Sequence, residues 1–293
     1  MNFQEIVLKL HEFWMDQGCL SLVPYDVEIG VGTFPPATFF GALGERPWRV
    51  SYLALSRRPT DSRYGEHPTR LRLHHQCQVL LKPPPEEVQT LYLESLTHLG
   101  IDLQRHDLRF VGDDWDSPPL DAWGLGWEVW LDGMEITRFT YLQQVGGIAL
   151  DPISVALNYG LERIATFVQK VENIFELNWN DTYRYKDLFR AQEREFSEYN
   201  LDRAVVDDIL RLFQVSERVT QANLECDLVY PAYDHVLKCT HLLDILAARG
   251  AISITDREKY IGRIRKLARG CAKRYLEEPG DPKVALDPAR HLR

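Results

Sequence analysis

The segment Ser56-Arg57-Arg58-Pro59-Thr60-Asp61-Ser62-Arg63-Tyr64-Gly65-Glu66-His67-Pro68-Thr69-Arg70 places four arginines between two β-prone runs. A guanidinium offers a planar fork of donors that matches phosphate oxygens two at a time, so such a loop rooted on rigid strands suits a nucleotide triphosphate. A solvated hairpin loop has the same composition, and the loop needs company to mean more. A second cluster, Asn158-Tyr159-Gly160-Leu161-Glu162-Arg163, runs from a strand into a helix at Gly160, with Arg163 on the first turn. The exposed N–H groups and positive dipole end there favour an anion, and an arginine adds a clamp. Glu128 and Glu135 lie on the two strands of a hairpin, and strict alternation puts Thr137 on the same side as Glu135. Carboxylates beside phosphates are what magnesium requires. Gln76, Gln78, Gln143 and Gln144 can bind a small zwitterion without net charge, and Trp115, Trp123 and Trp127 can wall a small pocket. Aromatic residues at this density more often build core.

Rigid elements must hold these groups. Phe3, Ile6, Val7, Leu10, Phe13 and Trp14 form the stripe of an opening amphipathic helix. From Pro24 to about Asn178 short β-prone runs alternate with Gly and Pro turns, giving strands over Arg49–Leu55, Leu73–Leu81, Leu108–Val111, Trp127–Leu131 and Met134–Leu142. Asp132-Gly133 joins the last two as a two-residue hairpin, so antiparallel pairing is expected. A helix over Glu86–Leu99 stops at Gly100. After Tyr183 the spacing is helical, as in Val205, Ile209, Leu212, Phe213 and Val236, Leu237, His241, Leu242, Ile245. Thr255-Asp-Arg-Glu258 is expected to cap the last strong helix, which buries Tyr260, Ile261, Ile264, Leu267, Ala268 and Cys271. The fold class is α+β, an antiparallel sheet flanked by helices and followed by an all-α domain. The expected division is a catalytic domain over 1–178, a helical domain over 179–276 and a disordered tail over 277–293.

The chain has 293 residues and a formal net charge of −9. A protein that grips a polyanion by itself usually has a basic balance, so chemistry that ends on RNA calls for a second polypeptide to supply much of the grip. No window approaches the ~20 apolar residues that span a bilayer, and the charged N-terminus is unlike a secretory signal, so a cytoplasmic location is expected. The five cysteines lie far apart with no C-x-x-C pair, which argues for reduced thiols.

The order of the clusters, an arginine loop between antiparallel strands, then Gly133-Met134-Glu135-Ile136-Thr137, then Gly-Leu-Glu-Arg opening a helix, resembles motifs 2 and 3 of class II aminoacyl-tRNA synthetases. Tyr25-Asp26-Val27-Glu28-Ile29-Gly30, Gly32-Thr33-Phe34, Pro36-Ala37-Thr38-Phe39, Trp123-Gly124-Leu125-Gly126-Trp127-Glu128, Gln143-Gln144-Val145-Gly146-Gly147, Pro231-Ala232-Tyr233 and Arg249-Gly250-Ala251-Ile252-Ser253 narrow the resemblance to the α subunit of bacterial glycyl-tRNA synthetase, over roughly 1–275. The resemblance implies activation of glycine with ATP and Mg²⁺, transfer to tRNA(Gly), an α-α homodimer, and an α₂β₂ assembly whose β subunit holds most of the tRNA. By the same resemblance Arg58 takes the α-phosphate and Arg163 the γ-phosphate. Glu66 and Arg70 take the ATP edge, with Arg63 and Thr137 also on the nucleotide, and Glu135 holds magnesium. Gln76, Gln78, Trp115, Glu128, Gln144 and Tyr159 surround glycine.

The sequence departs from the family at Cys77, where an aromatic residue expected to stack on adenine is usual, and at Ala156, where a glutamate is usual. Ser62 and His67 replace a glycine and an asparagine in the arginine loop. These changes define an alternative: a diverged relative that adenylates another amino acid, loads a non-tRNA acceptor, or binds without catalysis.

Overall fold

The computed structural model describes residues 1–30 and 32–277. Helix α1 (Phe3–Asp16) is capped by Asn2, whose Oδ1 accepts from the Glu5 amide at 3.0 Å while the Glu5 carboxylate accepts from the Asn2 amide at 2.7 Å. Its apolar stripe is buried at Phe3, Ile6, Leu10, Phe13 and Trp14. The chain continues through β1 (Leu20–Leu22), α2 (Pro36–Ala42), β2 (Trp48–Arg57), β3 (Leu73–Lys82), α3 (Val88–His98), β4 (Leu108–Ser117), β5 (Ala122–Leu131), β6 (Met134–Val145), β7 (Ile148–Gly160) and α4 (Leu161–Gln169). Helices α5 (Tyr185–Glu198), α6 (Val206–Glu225), α7 (Val229–Ala248) and α8 (Ile254–Glu277) follow, with a π-helical turn at Tyr199–Arg203.

Among the described residues seven strands form one sheet in the order β1-β2-β3-β7-β6-β5-β4. All pairs are antiparallel except β1 with β2, which makes the sheet mixed. The five expected strands are all present and longer than expected. β1 was not anticipated, and of β7 only its run into Gly160 was. The Asp132-Gly133 turn has positive φ at both residues, as a twist-matched two-residue hairpin needs. Helix α8 starts earlier than expected: Ser253, not Thr255, is the cap, its Oγ accepting from the Asp256 amide at 3.1 Å. The Ser253 hydroxyl also donates to the Asp256 carboxylate at 2.8 Å, and Thr255 already lies inside the helix. The expected tail falls on residues outside those described, apart from Glu277 at the end of α8. All five cysteines are unpaired.

The two faces of the sheet differ. Cys77, Val79, Leu81, Val129, Phe139, Val155, Leu157 and Tyr159 pack against α1, α3 and α4 in one core. On the other face Val50, Tyr52, Leu80 and Leu142 are covered by α2 and by α7 and α8, through residues such as Phe39, Tyr233, Leu267 and Ala268. That second core covers only one end of its face. At the other end, where His74, Gln76, Asn158, Arg138 and Glu128 emerge, the face is left as a cleft.

Candidate active site

The cleft has a volume of about 140 Å³ and is lined by Gly32, Arg58, His74, Gln76, Trp115, residues 135–138, Asn158, Gly160, Glu162 and Arg163. A larger open groove of about 730 Å³ lies against α4 beyond the β5–β6 turn, where His106 is already paired with Asp132 at 2.8 Å. Convergent charge, rather than volume, marks the smaller cleft as the candidate site.

Arg58 leaves β2 at a residue with extended φ and is fixed by its amide donating to the Arg72 carbonyl at 2.6 Å and its Nε donating to Ser56 Oγ at 3.2 Å. Burial, with Arg163 nearby, pulls its pKa below the usual arginine value. Arg163 sits in the first turn of α4, whose flanking Leu161, Ile164 and Ala165 are buried in the core. Its Nη1 donates to the Glu135 carboxylate at 2.7 Å and to the Glu135 carbonyl at 2.8 Å. The neighbouring Glu162 turns the other way: His75 donates to it from both backbone and ring at 2.8 Å, and Tyr185 donates at 3.0 Å. Burial alone would raise its pKa, but these donors and the charge of His75 hold it below the ordinary carboxylate value. Glu162 thereby anchors the start of α4 and fixes where Arg163 emerges.

A carboxylate cluster forms the middle of the floor. Arg138 Nη2 lies 2.7 Å from Glu128 and 3.8 Å from Glu135, and its Nε lies 3.2 Å from Asp113. Trp130 also donates to Glu128, at 3.1 Å. Burial raises the Asp113 pKa in spite of Arg138. On the other side of the floor stand buried amides. Gln76 accepts from Thr33 Oγ1 at 2.7 Å; Gln78 accepts from Tyr52 and donates to the Thr33 carbonyl at 2.6 Å. Gly32, with φ of +97°, carries the chain past Trp115, which stacks on Phe34 with ring centroids 5.2 Å apart.

Several expected site residues are thus brought together: Arg58, Arg163, Glu135, Gln76, Gln78, Trp115 and Glu128. Others lie apart. Thr137 faces the helix-covered core beside Tyr92, opposite to Glu135, because Ile136 is an extra residue in β6: Val129 pairs with Thr137 and Trp130 with Glu135. The bulge reverses the alternation on which the sequence expectation rested. Tyr159 also points into that core, where its hydroxyl meets Ser95 at 2.8 Å. Gln144 is at the far end of β6 and donates to the Asp121 carbonyl at 3.2 Å. Arg63 is folded onto its own loop, donating to the carbonyls of Thr60 and Ser62, while Glu66 and Arg70 are exposed on the same loop. That loop rests on the helical region, with the Tyr64 amide donating to Ser197 and Asn200 donating to Ser62. Cys77 is fully buried on the helix-covered face near Ser51, so an aromatic residue there would enter the core and not an adenine pocket.

Three residues of the floor have no site role in the sequence expectations. Asn158 stands between Gln78 and Arg138 in the sheet register, and its Oδ1 is buried without a hydrogen-bond partner among the described residues. His74 lines the cleft with Nε2 likewise unpartnered, and burial together with Arg58 lowers its pKa to about 4, so the ring is neutral. Arg138 is the hub just described. Asn158 and Arg138 were legible only by counting positions from Gln78 and Glu128 across β7 and β6, which needs the pairing in hand.

Arginines brought to a carboxylate on the open end of an antiparallel sheet can grip a triphosphate without a phosphate-binding loop, and on this fold they place the chain among the class II aminoacyl-tRNA ligases. The family model described as glycyl-tRNA synthetase alpha subunit matches residues 3–279, and the chain belongs to that family. Among solved structures, PylSc, a pyrrolysyl-tRNA synthetase of Desulfitobacterium hafniense, is similar with a TM-score of 0.44 and 16% identity over 62% of this chain and 74% of that one. Another structure of pyrrolysyl-tRNA synthetase from the same organism has a TM-score of 0.40 and 15% identity over 62% of this chain and 75% of the other.

Proposed function

We propose that this chain activates glycine with ATP to glycyl-adenylate and passes the glycyl group to tRNA(Gly), as the α subunit of an α₂β₂ enzyme in the cytoplasm. The observation that carries this reading is the gathering of Arg58 with the Arg163–Glu135 pair, next to buried amides, in a cleft of about 140 Å³ that suits a small amino acid. In the first step a glycine carboxylate oxygen attacks the α-phosphorus and the bond to pyrophosphate breaks. That carboxylate is already a nucleophile, so no general base is required; alignment and charge stabilisation suffice. Arg58 takes the α-phosphate and Arg163 the γ-phosphate, with Arg63, Glu66 and Arg70 as outer contacts. His74, neutral and with its Nε2 unpartnered among the described residues, is a further hydrogen-bonding group beside Arg58.

Among the described residues no group of three or more His, Cys, Asp or Glu is arranged to hold a metal ion. The donor set fits magnesium that arrives with the triphosphate, which commonly takes one or two protein carboxylates and phosphate oxygens. Glu135 would hold it, and bound magnesium would supply charge neutralisation. Gln76, Gln78, Trp115 and Asn158 surround the amino acid, with the Asn158 Oδ1 accepting from its ammonium group. Among the described residues no helix is long and apolar enough to cross a membrane.

One observation favours a second reading, adenylation of a different amino acid. The carboxylates of the floor are gathered around Arg138, and Ala156, where the family usually has a glutamate, lies on the cleft-side face between Leu80 and Thr140. Amino-acid-dependent ATP–pyrophosphate exchange, with and without a β subunit, distinguishes the two. Glycine-dependent exchange lost in Arg58→Ala and Arg163→Ala is the expected result. Exchange with another amino acid alone would establish the second reading, and silence of the folded protein with every amino acid would overturn both.

A further inference from the structure

We propose that the exposed basic face of α8 is a docking surface for the phosphodiester backbone of the RNA acceptor, beside the cleft. The inference rests on the transfer step of the proposed function. The chain is acidic overall at −9, yet α8 carries eight lysines and arginines against three acidic residues. Gly262, Lys266, Arg269 and Lys273 recur at helical spacing on one face, and with Arg265 and Gly270 they line a shallow groove of about 300 Å³.

The basic groups have two kinds of setting. Arg265 donates to the Pro118 carbonyl at 2.9 Å, and both Arg265 and Arg269 are held by the largely buried Asp121. Lys266 and Lys273 have no ion-pair partner among the described residues. This leaves a fixed pair of guanidiniums next to two free ammonium groups about two helical turns apart. Pro118 follows Ser117, the last residue of β4, and Trp115 two residues earlier lines the cleft. At ~3.3 Å per strand residue, the ridge begins within about 10 Å of the cleft wall along the chain. A strand of RNA lying on α8 would therefore pass close to the cleft wall.

Gly262 is the independent sign that something approaches this face. A Cβ there would meet nothing within 4 Å among the described residues, so no packing seen among them requires glycine, although glycine weakens a helix interior. Its effect is to leave the backbone open among the basic side chains. An acidic protein surface would also complement the charge, but RNA is the polyanion that this class of enzyme must bring to its cleft.

The test uses the full chain assembled with its β subunit, a tRNA(Gly) transcript, and the variants Lys266→Glu/Lys273→Glu and Gly262→Gln. The double variant should raise KM for tRNA in aminoacylation roughly tenfold or more and lower the salt slope of binding by roughly 0.7–0.9 for each lost contact. ATP–pyrophosphate exchange should be unchanged in both variants, which separates this inference from the activation reading. Gly262→Gln should weaken tRNA binding while Tm stays level or rises, which a purely structural role for Gly262 does not give. Unchanged tRNA KM and salt slope would overturn the proposal, as would loss of the α–β assembly with tRNA affinity intact in whatever assembly remains.

Discussion

Arg138→Met removes the one cation shared by Asp113, Glu128 and Glu135, which approach it to 3.2, 2.7 and 3.8 Å. Two unit charges 4 Å apart interact by about 4 kcal/mol at an effective dielectric of 20. Here the guanidinium is 34% exposed and Glu128 24%, so solvent screens the pair to a value between the ~0.2–1 kcal/mol of surface pairs and the ~3–5 kcal/mol cost of breaking a buried one. We expect about 1.5–2 kcal/mol of coupling between Arg138 and Glu128. The same loss leaves Asp113 and Glu128 without their cation beside the triphosphate, while Glu135 keeps Arg163. KM for ATP in pyrophosphate exchange should therefore rise at least ~10-fold, since ~1.4 kcal/mol corresponds to a factor of ten. Arg138→Met/Glu128→Gln should recover part of that loss, and urea unfolding of the single and double variants gives the coupling directly. A coupling below ~0.3 kcal/mol together with an ATP KM within about twofold of the parent would refute the hub as an electrostatic device.

Two further predictions concern Asn158 and the buried titratable groups. Asn158→Leu should raise KM for the amino acid by roughly tenfold, through loss of a hydrogen bond to a charged group, while KM for ATP holds steady; a rise in both would mean a general collapse of the floor. His74 and His241 are pulled to about 4 chiefly by burial, so their contribution to stability is present above their ordinary value of 6.5 and is lost as pH falls toward 4. Asp244 is pushed up to about 7 by burial, so its contribution runs the other way, present below its ordinary value of 3.8 and lost as pH rises toward 7. Asp244→Asn should raise the urea midpoint at pH 8 and His74→Gln should flatten the loss between pH 6.5 and 4; profiles parallel to the parent in both variants would contradict this.

The arginine loop, the Asp132-Gly133 hairpin and the helix opening at Gly160 were legible because each is written in local chemistry: donors clustered between β-prone runs, a turn dipeptide, a glycine before an amphipathic repeat. β1 was not, since three residues paired in parallel with β2 carry too little pattern to stand out. The placing of Thr137 failed for a different reason. Alternation assumes one residue per register step, and the inserted Ile136 has no signature in composition or spacing. Tyr159 and Cys77 share one face, while Asn158, Gln76 and Gln78 share the other, and that division becomes readable only once β3 and β7 are paired. Gly126 shows what spacing does reveal after the fact: a Cβ there would fall 2.0 Å from the Phe139 carbonyl oxygen, so β5 can lie this close to β6 only without a side chain.

The bulge at Ile136 also sets what kinds of change the site can survive. Exchanging Ile136 for another apolar residue alters packing in the core and leaves Glu135 aimed where it is. Removing the residue shifts the phase of the strand, so that either Glu135 is carried into the core beneath α4 or the hairpin turn must re-form one position away. Lineages of this protein should therefore drift in side-chain identity along β6 but hold its length between Gly133 and Arg138, and an alignment gap there would mark a descendant that has abandoned the present arrangement of arginine and carboxylate.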